Sequence, residues 1–176
     1  KADVVYHLAG IIFPSPRRME VQYQVNVIGT RNVVEASMSS DVGRLVHVSS
    51  IEAMVTPPPG TVLDEASPFD PTRVMGSYGK SKAQASLEVL SAVERGLDAV
   101  IVCPTGAIGP YDFKPSLTGQ YFADVAKKKV KGRFYIGGGA YDFVDVRDIA
   151  IGQVLASEKG RTGEAYILSG ERISQA

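Results

Sequence analysis

The sequence lacks several features that would assign it to particular function classes. Its 176 residues include one cysteine, Cys103, so no internal disulfide can form. Nineteen basic residues balance nineteen acidic ones, which leaves no electrostatic footprint for nucleic acid or an anionic membrane. No run of about twenty apolar residues is present to span a bilayer, and no signal peptide opens the chain. We therefore expect a cytoplasmic protein with no nucleic-acid partner, no membrane partner and no metal site.

What is present fits an ordinary globular protein, with 44% hydrophobic and 22% charged residues. A chain of this length can bury a sizeable core. Cys103 lies inside an apolar run, so we predict a small core residue rather than a nucleophile. The lysines at 127–129 and Lys131 form a basic cluster at the end of a predicted helix, where they would complement the helix dipole.

The segment Ser77–Lys82 places a tyrosine, Tyr78, four residues before a lysine, Lys82, within a predicted helix. Residues four apart project from the same helix face. An ammonium group near a phenol favours the phenolate and lowers a tyrosine pKa that is about 10 in water. The pair therefore predicts a proton donor and acceptor near neutral pH. Taken alone, such a pair is more often two solvated helix residues.

Two predicted strands end in residues suited to a ligand site. Leu45–Ser50 is a short apolar run that ends in two hydroxyls, and Asp98–Pro104 is a second apolar run that stops at a proline. Ligands of open α/β sheets bind beyond the carboxyl ends of the strands. A serine there can hydrogen-bond a substrate oxygen, although a turn or a helix cap is the alternative interpretation.

The order strand-Ser, helix-Tyr-Lys, strand-Pro resembles the short-chain dehydrogenases/reductases. The chain is most similar to the extended branch, the NAD-dependent epimerase/dehydratase family, and in character to its dihydroflavonol-4-reductase-like members. Further matches to this branch are Val4–Gly10, Asn26–Asn32, Phe143–Ala150 and Gly163–Leu168. The resemblance implies a doubly wound, Rossmann-type α/β fold with a mostly parallel sheet.

We expect the chain to be truncated at its N-terminus, because the complete fold would first supply a strand and a Gly-rich turn for the pyrophosphate. Gly137–Gly139 precedes a strand rather than a helix, so we predict a flexible connection there. The resemblance implies that residues 1–110 form a partial dinucleotide-binding domain carrying the Ser/Tyr/Lys site. Residues 111–176 would form a mixed substrate-binding region whose late strands return to the sheet.

The apolar patterns predict the following elements. Strands are expected near 4–9, 45–49, 98–103, 133–136 and 165–168, and helices at Arg17–Ser39 and Gly76–Glu94. Gly96 would close the second helix, and Asp145 or Asp148 would cap a later one. The proline-rich stretch 51–74 is predicted to be irregular and to form a side wall of the substrate pocket.

The resemblance assigns roles to individual residues. Tyr78 would be the acid/base, Lys82 would support it and bind the cofactor ribose, and Ser50 would orient the reacting oxygen. Asn26 would either organise a proton-relay water or pack its helix against the sheet. The cofactor, NAD or NADP, would be bordered by residues at the strand ends and on the helix: Ala9, Gly10, Ser49, Tyr78, Lys82, Pro104, Thr105 and Ala107. His7 and His47 are predicted to be core residues bonded to backbone.

Departures from the family pattern narrow the implied reaction. The dehydratases carry an Asp-Glu pair after the strand-end hydroxyl, but this chain has Ile51 and Glu52. Sugar-nucleotide epimerases commonly carry an arginine where this chain has Tyr141. Arg147, Arg133 or Lys131 could substitute for it.

Those departures favour an oxidoreductase that moves hydride between nicotinamide and a carbonyl or alcohol on an uncharged small molecule. A sugar-nucleotide epimerase is the second hypothesis, and a non-catalytic dinucleotide-binding sensor or scaffold is the third. The resemblance also implies a homodimer through the helices 17–39 and 76–94, whose apolar residues could equally just cover the sheet.

Overall fold

Two β-sheets of different size organise the computed structural model, which describes residues 2–13, 18–113, 116–129 and 140–174. The strands are β1 Val4–His7, β2 Arg44–Val48, β3 Ala99–Pro104, β4 Gly106–Ile108, β5 Ala140–Asp145, β6 Ala165–Leu168 and β7 Glu171–Ser174. The helices are α1 Met19–Tyr23, α2 Gly29–Ser39, α3 Gly76–Glu94, α4 Leu117–Ala126 and α5 Val146–Lys159. A π-helical segment, Gln24–Ile28, joins α1 to α2, and a 3-10 turn spans Ile51–Ala53.

The larger sheet has the strand order β1-β2-β3-β6, and every neighbouring pair in it is parallel. Helices cover both of its faces. Leu45 and Ile101 pack with Val89 of α3 on one face, while Val46 and Val100 pack on the other face in a second cluster. That second cluster includes Ala156 of α5. A parallel sheet buried on both sides explains the continuous apolar runs of β2 and β3. The predicted doubly wound α/β fold is therefore confirmed.

The smaller sheet has the strand order β4-β5-β7, with β4 and β5 parallel and β5 and β7 antiparallel. Its first strand follows β3 after a single residue, Thr105. The two sheets are thus joined at the carboxyl end of β3. The smaller sheet therefore begins beside the edge where parallel strands present ligand-binding residues.

Most element predictions hold. Helix Gly76–Glu94 is confirmed, and the chain turns at Gly96 with a φ of 104°, where Leu97 N–H donates to Ala92 O at 3.0 Å. The Asp145 carboxylate caps α5 by accepting from Arg147 N at 2.8 Å. The helix predicted over Arg17–Ser39 starts at Met19 among the described residues and is interrupted by the π-helical segment. The predicted strand 133–136, Gly137–Gly139, Lys131 and Arg133 lie outside the described residues.

Within the described ranges, no helix is both long and apolar enough to cross a bilayer. The longest of these helices, α3, carries buried small residues rather than an uninterrupted apolar surface: Gly79, Ser81, Ala83, Ala85, Ser86 and Ala92. Small side chains let a helix approach a sheet closely. α3 therefore lies close enough to the larger sheet for its side chains to reach the strand ends.

Candidate active site

The buried amine of Lys82 marks the edge where β1 and β2 end. Its Nζ donates a hydrogen bond to Val48 O, the last residue of β2, at 2.6 Å. A Cβ built on Gly10 would lie 3.9 Å from this Nζ and 3.4 Å from Asn26 Oδ1. Gly10 therefore lets the chain after β1 pass close to both groups. The lysine side chain is only 4% exposed, and burial lowers the pKa of its amine to about 8.

Ser50 and Tyr78 meet because two short segments pack closely. The Ser50 hydroxyl accepts from Glu52 N at 3.2 Å and caps the 3-10 turn after β2. This turn lies on the first turn of α3, where a Cβ on Gly79 would come within 2.5 Å of Glu52 O. Glycine is therefore needed there for close approach. The hydroxyl of Ser50 is thereby near the phenol of Tyr78 and lowers its pKa.

The expectation that Lys82 lowers the pKa of Tyr78 is wrong in this structure. Burial of the phenol and the nearby Glu52 carboxylate raise the pKa of Tyr78 to about 12, against a smaller lowering by the Ser50 hydroxyl. The amine of Lys82 instead bonds to Val48 O. The spacing of four residues places both groups on one helix face, but it does not determine which acceptor the ammonium binds. Tyr78 is therefore a protonated phenol at neutral pH.

Glu52 and Tyr141 belong to the same cluster, although the sequence reasoning did not include them among its site residues. Burial raises the pKa of the Glu52 carboxyl. Burial also raises the pKa of Tyr141, with a further contribution from the charge of Glu52. Tyr141 in turn adds to the raised pKa of Tyr78. For Glu52, the available sequence signal was its place two residues after Ser50.

Ser49 lies on the interior side of the strand end, unlike Ser50. Its hydroxyl is buried and shares a 2.8 Å hydrogen bond with the hydroxyl of Ser86 on α3. A cofactor role for Ser49 stays a prediction, and its observed partner lies in the core. The two serines after β2 are thus divided between the core and the phenol of Tyr78.

The other residues predicted to border a cofactor occupy several positions. Ala9 and Gly10 are exposed just beyond β1, and Pro104 is buried as the last residue of β3. Thr105 N–H donates to Leu168 O at 3.1 Å, which ties the start of the loop to β6. Ala107 belongs to β4 and pairs with Val144 of β5. The structure thus spreads this set over both sheets, and their cofactor roles stay predictions.

Asn26 binds the protein with all of its amide hydrogens. Its Nδ2 donates to Ile11 O at 2.9 Å and to Ser81 Oγ at 3.0 Å, while its Oδ1 accepts from Ile11 N at 2.8 Å. Its backbone carbonyl accepts from the Thr30 hydroxyl at 2.7 Å. Of the two roles predicted for Asn26, these contacts correspond to the packing role. A proton-relay water has only the remaining oxygen lone pairs to bind.

His7 and His47 are core residues with neutral rings, because burial and nearby Lys82 lower both pKa values. His7 Nε2 shares a 2.8 Å hydrogen bond with the hydroxyl of Thr30. Neither ring nitrogen of His47 has a partner among the residues that the structure describes. The prediction that they bond to backbone is therefore not met. The centroids of their rings lie 5.4 Å apart.

Arg147, one of the predicted substitutes for the diphosphate-binding arginine, is paired with a carboxylate. Its guanidinium bonds to the carboxylate of Asp145 through Nε at 2.9 Å and Nη2 at 2.6 Å. Tyr141, at the position where the epimerases carry arginine, is 43% exposed and lies against Phe143 at 5.2 Å between centroids. Arg133 and Lys131, the other possible substitutes, lie outside the described residues. At the position of Tyr141 the structure therefore has an aromatic side chain.

A cavity of about 720 Å³ lies between the smaller sheet and α4. Its polar lining groups include Asp112 and Ser116, which bond to each other. Its other lining residues are Ala107, Ile108, Gly109, Pro110, Tyr111, Gly119, Phe122, Ala123 and Val146. An apolar cavity of this size is large enough for a small organic molecule.

The model of the NAD dependent epimerase/dehydratase family matches residues 1–169. Sterol demethylase protein B of Methylococcus capsulatus is 35% identical over 172 residues, covering 97% of this chain and 51% of that protein. The putative dihydroflavonol 4-reductase of Synechocystis is 34% identical over 174 residues, covering 97% of this chain and 50% of the relative.

Solved structures give the same result for the fold. The crystal structure of gox2253 superposes with a TM-score of 0.87 at 35% sequence identity, covering 98% of this chain and 52% of that one. The chain therefore spans about half the length of the relatives that it matches. The superposition with gox2253 includes both sheets of the described structure.

Proposed function

The chain belongs to the NAD dependent epimerase/dehydratase family, and from this we propose that the whole protein is an NAD(P)-dependent oxidoreductase that reduces a carbonyl on an uncharged small molecule. The observation that carries the proposal is the cluster of Ser50, Tyr78 and Lys82 at the carboxyl edge of the larger sheet. The hydroxyls of Ser50 and Tyr78 could both turn toward one substrate oxygen.

The residues at this edge fit the nicotinamide riboside end of NAD or NADP. Gly10 keeps the space beside Lys82 and Asn26 free of a side chain, so a flat ligand can approach the strand ends. The ammonium of Lys82 has three N–H donors, and Val48 O accepts from one of them. The remaining donors would hold ribose hydroxyls. When bound, the dinucleotide supplies a hydride donor or acceptor at its nicotinamide ring.

Tyr78 would act mainly as an acid. A phenol with a pKa of about 12 keeps its proton at neutral pH, so it can donate to a carbonyl oxygen that becomes an alkoxide as the carbonyl carbon gains hydride. The products are an alcohol and a tyrosinate, which is reprotonated from solvent. Ser50 would donate a second hydrogen bond to the same oxygen. In the reverse reaction, oxidation of the alcohol, the tyrosinate would accept the proton.

The substrate we propose is an aromatic or alicyclic carbonyl compound without a diphosphate. Tyr141 stands where a diphosphate-binding arginine would be needed, and Arg147 is paired with Asp145. The apolar cavity under α4 supplies a place for a hydrophobic body. The names of two relatives, a putative dihydroflavonol 4-reductase and a sterol demethylase protein, support the same class.

Cofactor stoichiometry in the full-length protein tests this function. Aryl and alicyclic ketones are each incubated with NADH or NADPH, and the consumed cofactor is compared with the alcohol formed. We expect one equivalent consumed per alcohol. Interconversion of nucleotide sugars without net consumption would instead support the epimerase alternative. Tight dinucleotide binding with no turnover of either substrate class would support a sensor or scaffold.

We also propose a homodimer through helices α1, α2 and α3, as in the sequence-based prediction. Met19, Val21 and Tyr23 of α1 are exposed apolar residues, and Arg31 of α2 pairs with Glu88 of α3 at 2.8 Å. Sedimentation equilibrium of the full-length protein tests this. A mass of two subunits supports the dimer, and a single-subunit mass at micromolar concentration rejects it.

A further inference from the structure

Two amide side chains on one helical segment hold the stretch Gly10–Phe13, which follows β1. Gln22 Oε1 accepts from Phe13 N at 2.9 Å, and Asn26 Oδ1 accepts from Ile11 N at 2.8 Å. In an extended chain, the N–H groups of alternate residues point to the same side. Gln22 and Asn26 therefore bind this stretch as a neighbouring strand would bind it.

Both amides are deeply buried, with Gln22 and Asn26 each 1% exposed. Burying an amide costs free energy unless its polar atoms are bonded. An apolar residue would fill the position of Gln22 without that cost. Its oxygen therefore has a specific use at this position, namely the hydrogen bond to Phe13 N–H.

The held stretch passes directly along the candidate active site. A Cβ on Gly10 would lie 3.4 Å from Asn26 Oδ1 and 3.9 Å from Lys82 Nζ. Asn26 Nδ2 also donates to Ser81 Oγ, next to Lys82 on α3. One end of the stretch is thus fixed beside the lysine, and Gln22 fixes the other end at Phe13.

We propose that Gln22 is a positioning residue that holds Gly10–Phe13 extended along the ligand-binding edge. The role in turnover rests on the proposed reductase function, whereas the role in dinucleotide binding requires only the site itself. With the stretch already ordered, a ligand that lies against it does not have to order it on binding. Loss of the Gln22 oxygen would leave Phe13 N–H without its acceptor and would loosen the Phe13 end of the stretch.

The test uses Gln22→Met in the full-length protein, because methionine has a similar length but no comparable acceptor. Gln24→Met is the matched control, since Gln24 is exposed on the same segment and bonds to Glu20. We expect amide exchange at Phe13 to become about tenfold faster, the free-energy equivalent of one lost hydrogen bond. We expect the Kd of NAD(P)H, or the KM of the ketone, to rise severalfold. The control should change neither.

Each outcome decides the proposal. Unchanged amide exchange at Phe13 overturns the proposal that Gln22 holds the stretch Gly10–Phe13. Faster exchange with unchanged Kd, KM and kcat overturns its positioning role but leaves the proposed reductase intact. If the wild-type protein reduces no carbonyl, the reductase proposal fails, and the Kd of NAD(P)H alone decides the role of Gln22.

If Gln22→Met does not fold, two other variants test the same hydrogen bond. Gln22→Glu, which keeps the acceptor, should retain protection of the Phe13 amide that the shorter Gln22→Asn loses. Equal protection of the Phe13 amide in those two variants overturns the proposal that Gln22 holds this stretch.

Discussion

The two sheets hold their side chains in different ways. At the end of the larger sheet, Lys82, Asn26 and Ser49 are buried, and each has a hydrogen-bond partner in the protein. Beside the smaller sheet two aromatic side chains are open, with Tyr111 76% exposed and Phe113 89% exposed. A buried, bonded group keeps one geometry, as proton transfer requires, whereas an open apolar surface can accept different molecules. Under the proposed function, the larger sheet would hold the chemistry and the smaller one would select the substrate.

The strongest test of this division is Tyr78→Phe. Removal of the proton donor should lower kcat/KM for ketone reduction by about 10²–10⁴-fold, the usual contribution of a positioned general acid. The melting temperature should change little, because the ring remains. Steady-state kinetics and thermal melts of the full-length protein measure both. Tyr23→Phe, on exposed α1, is the control and should retain activity; equal losses in the two variants would contradict the assignment.

The next largest effect is expected from Gly79→Ala. A Cβ would lie 2.5 Å from Glu52 O, so the turn that carries Ser50 must move away from α3. A displacement of about 1 Å at a reacting group can cost about 100-fold, and we expect kcat to fall by about 10–100-fold. The exposed neighbour Lys80 supplies the control, Lys80→Ala. A fully active Gly79→Ala enzyme would show that the Ser50–Tyr78 contact is not needed.

A smaller effect is expected where the cavity under α4 is filled. Ala123→Leu adds bulk to its lining, so KM should rise about tenfold for a bulky ketone. The kcat should stay near its wild-type value, since Ser50, Tyr78 and Lys82 are untouched. A small ketone serves as the control substrate and should show no change in KM. A fall in kcat for both ketones would mean that the two regions are not separable as proposed.

The smallest effect concerns pH and the buried amine. Burial lowers the pKa of Lys82 to about 8 from an ordinary value of 10.5, so the unfolded chain binds a proton in this window that the folded chain has lost. Stability attributable to Lys82 should therefore rise with pH between these values and be lost as pH falls through about 8. Thermal melts of wild-type and Lys82→Met proteins without cofactor measure the difference. A wild-type stability that falls relative to that of Lys82→Met as pH rises over this window would contradict the burial.

Part of this arrangement could be predicted from the sequence. The helix Gly76–Glu94 could be predicted from its periodicity and its closing glycine. The strand β6, Ala165–Leu168, begins and ends at the predicted residues. The pKa of Tyr78 could not be predicted, because it depends on burial, on Glu52 and on the choice of Val48 O by the lysine. Each of these is a tertiary contact that spacing does not encode.

The apolar pattern of the sequence also could not predict the π-helical segment or the hydrogen bond between Gln22 and Phe13. Gln22 reads as a polar residue on an amphipathic helix, where a solvated position is the ordinary expectation. It is buried because the chain after β1 crosses its face and supplies Phe13 N–H. The smaller sheet shows the same limit, since β4 has three residues and carries no strand-length apolar signal.

Isotope transfer tests the central claim most directly. The full-length protein is supplied with NAD(P)H deuterated at nicotinamide C4 and with an aryl ketone, and the alcohol is examined by mass spectrometry and NMR. We predict that deuterium appears on the carbinol carbon of the wild-type product, and that Tyr78→Phe forms this product at least about a hundredfold more slowly. Label transfer at the same rate in both proteins would contradict the account.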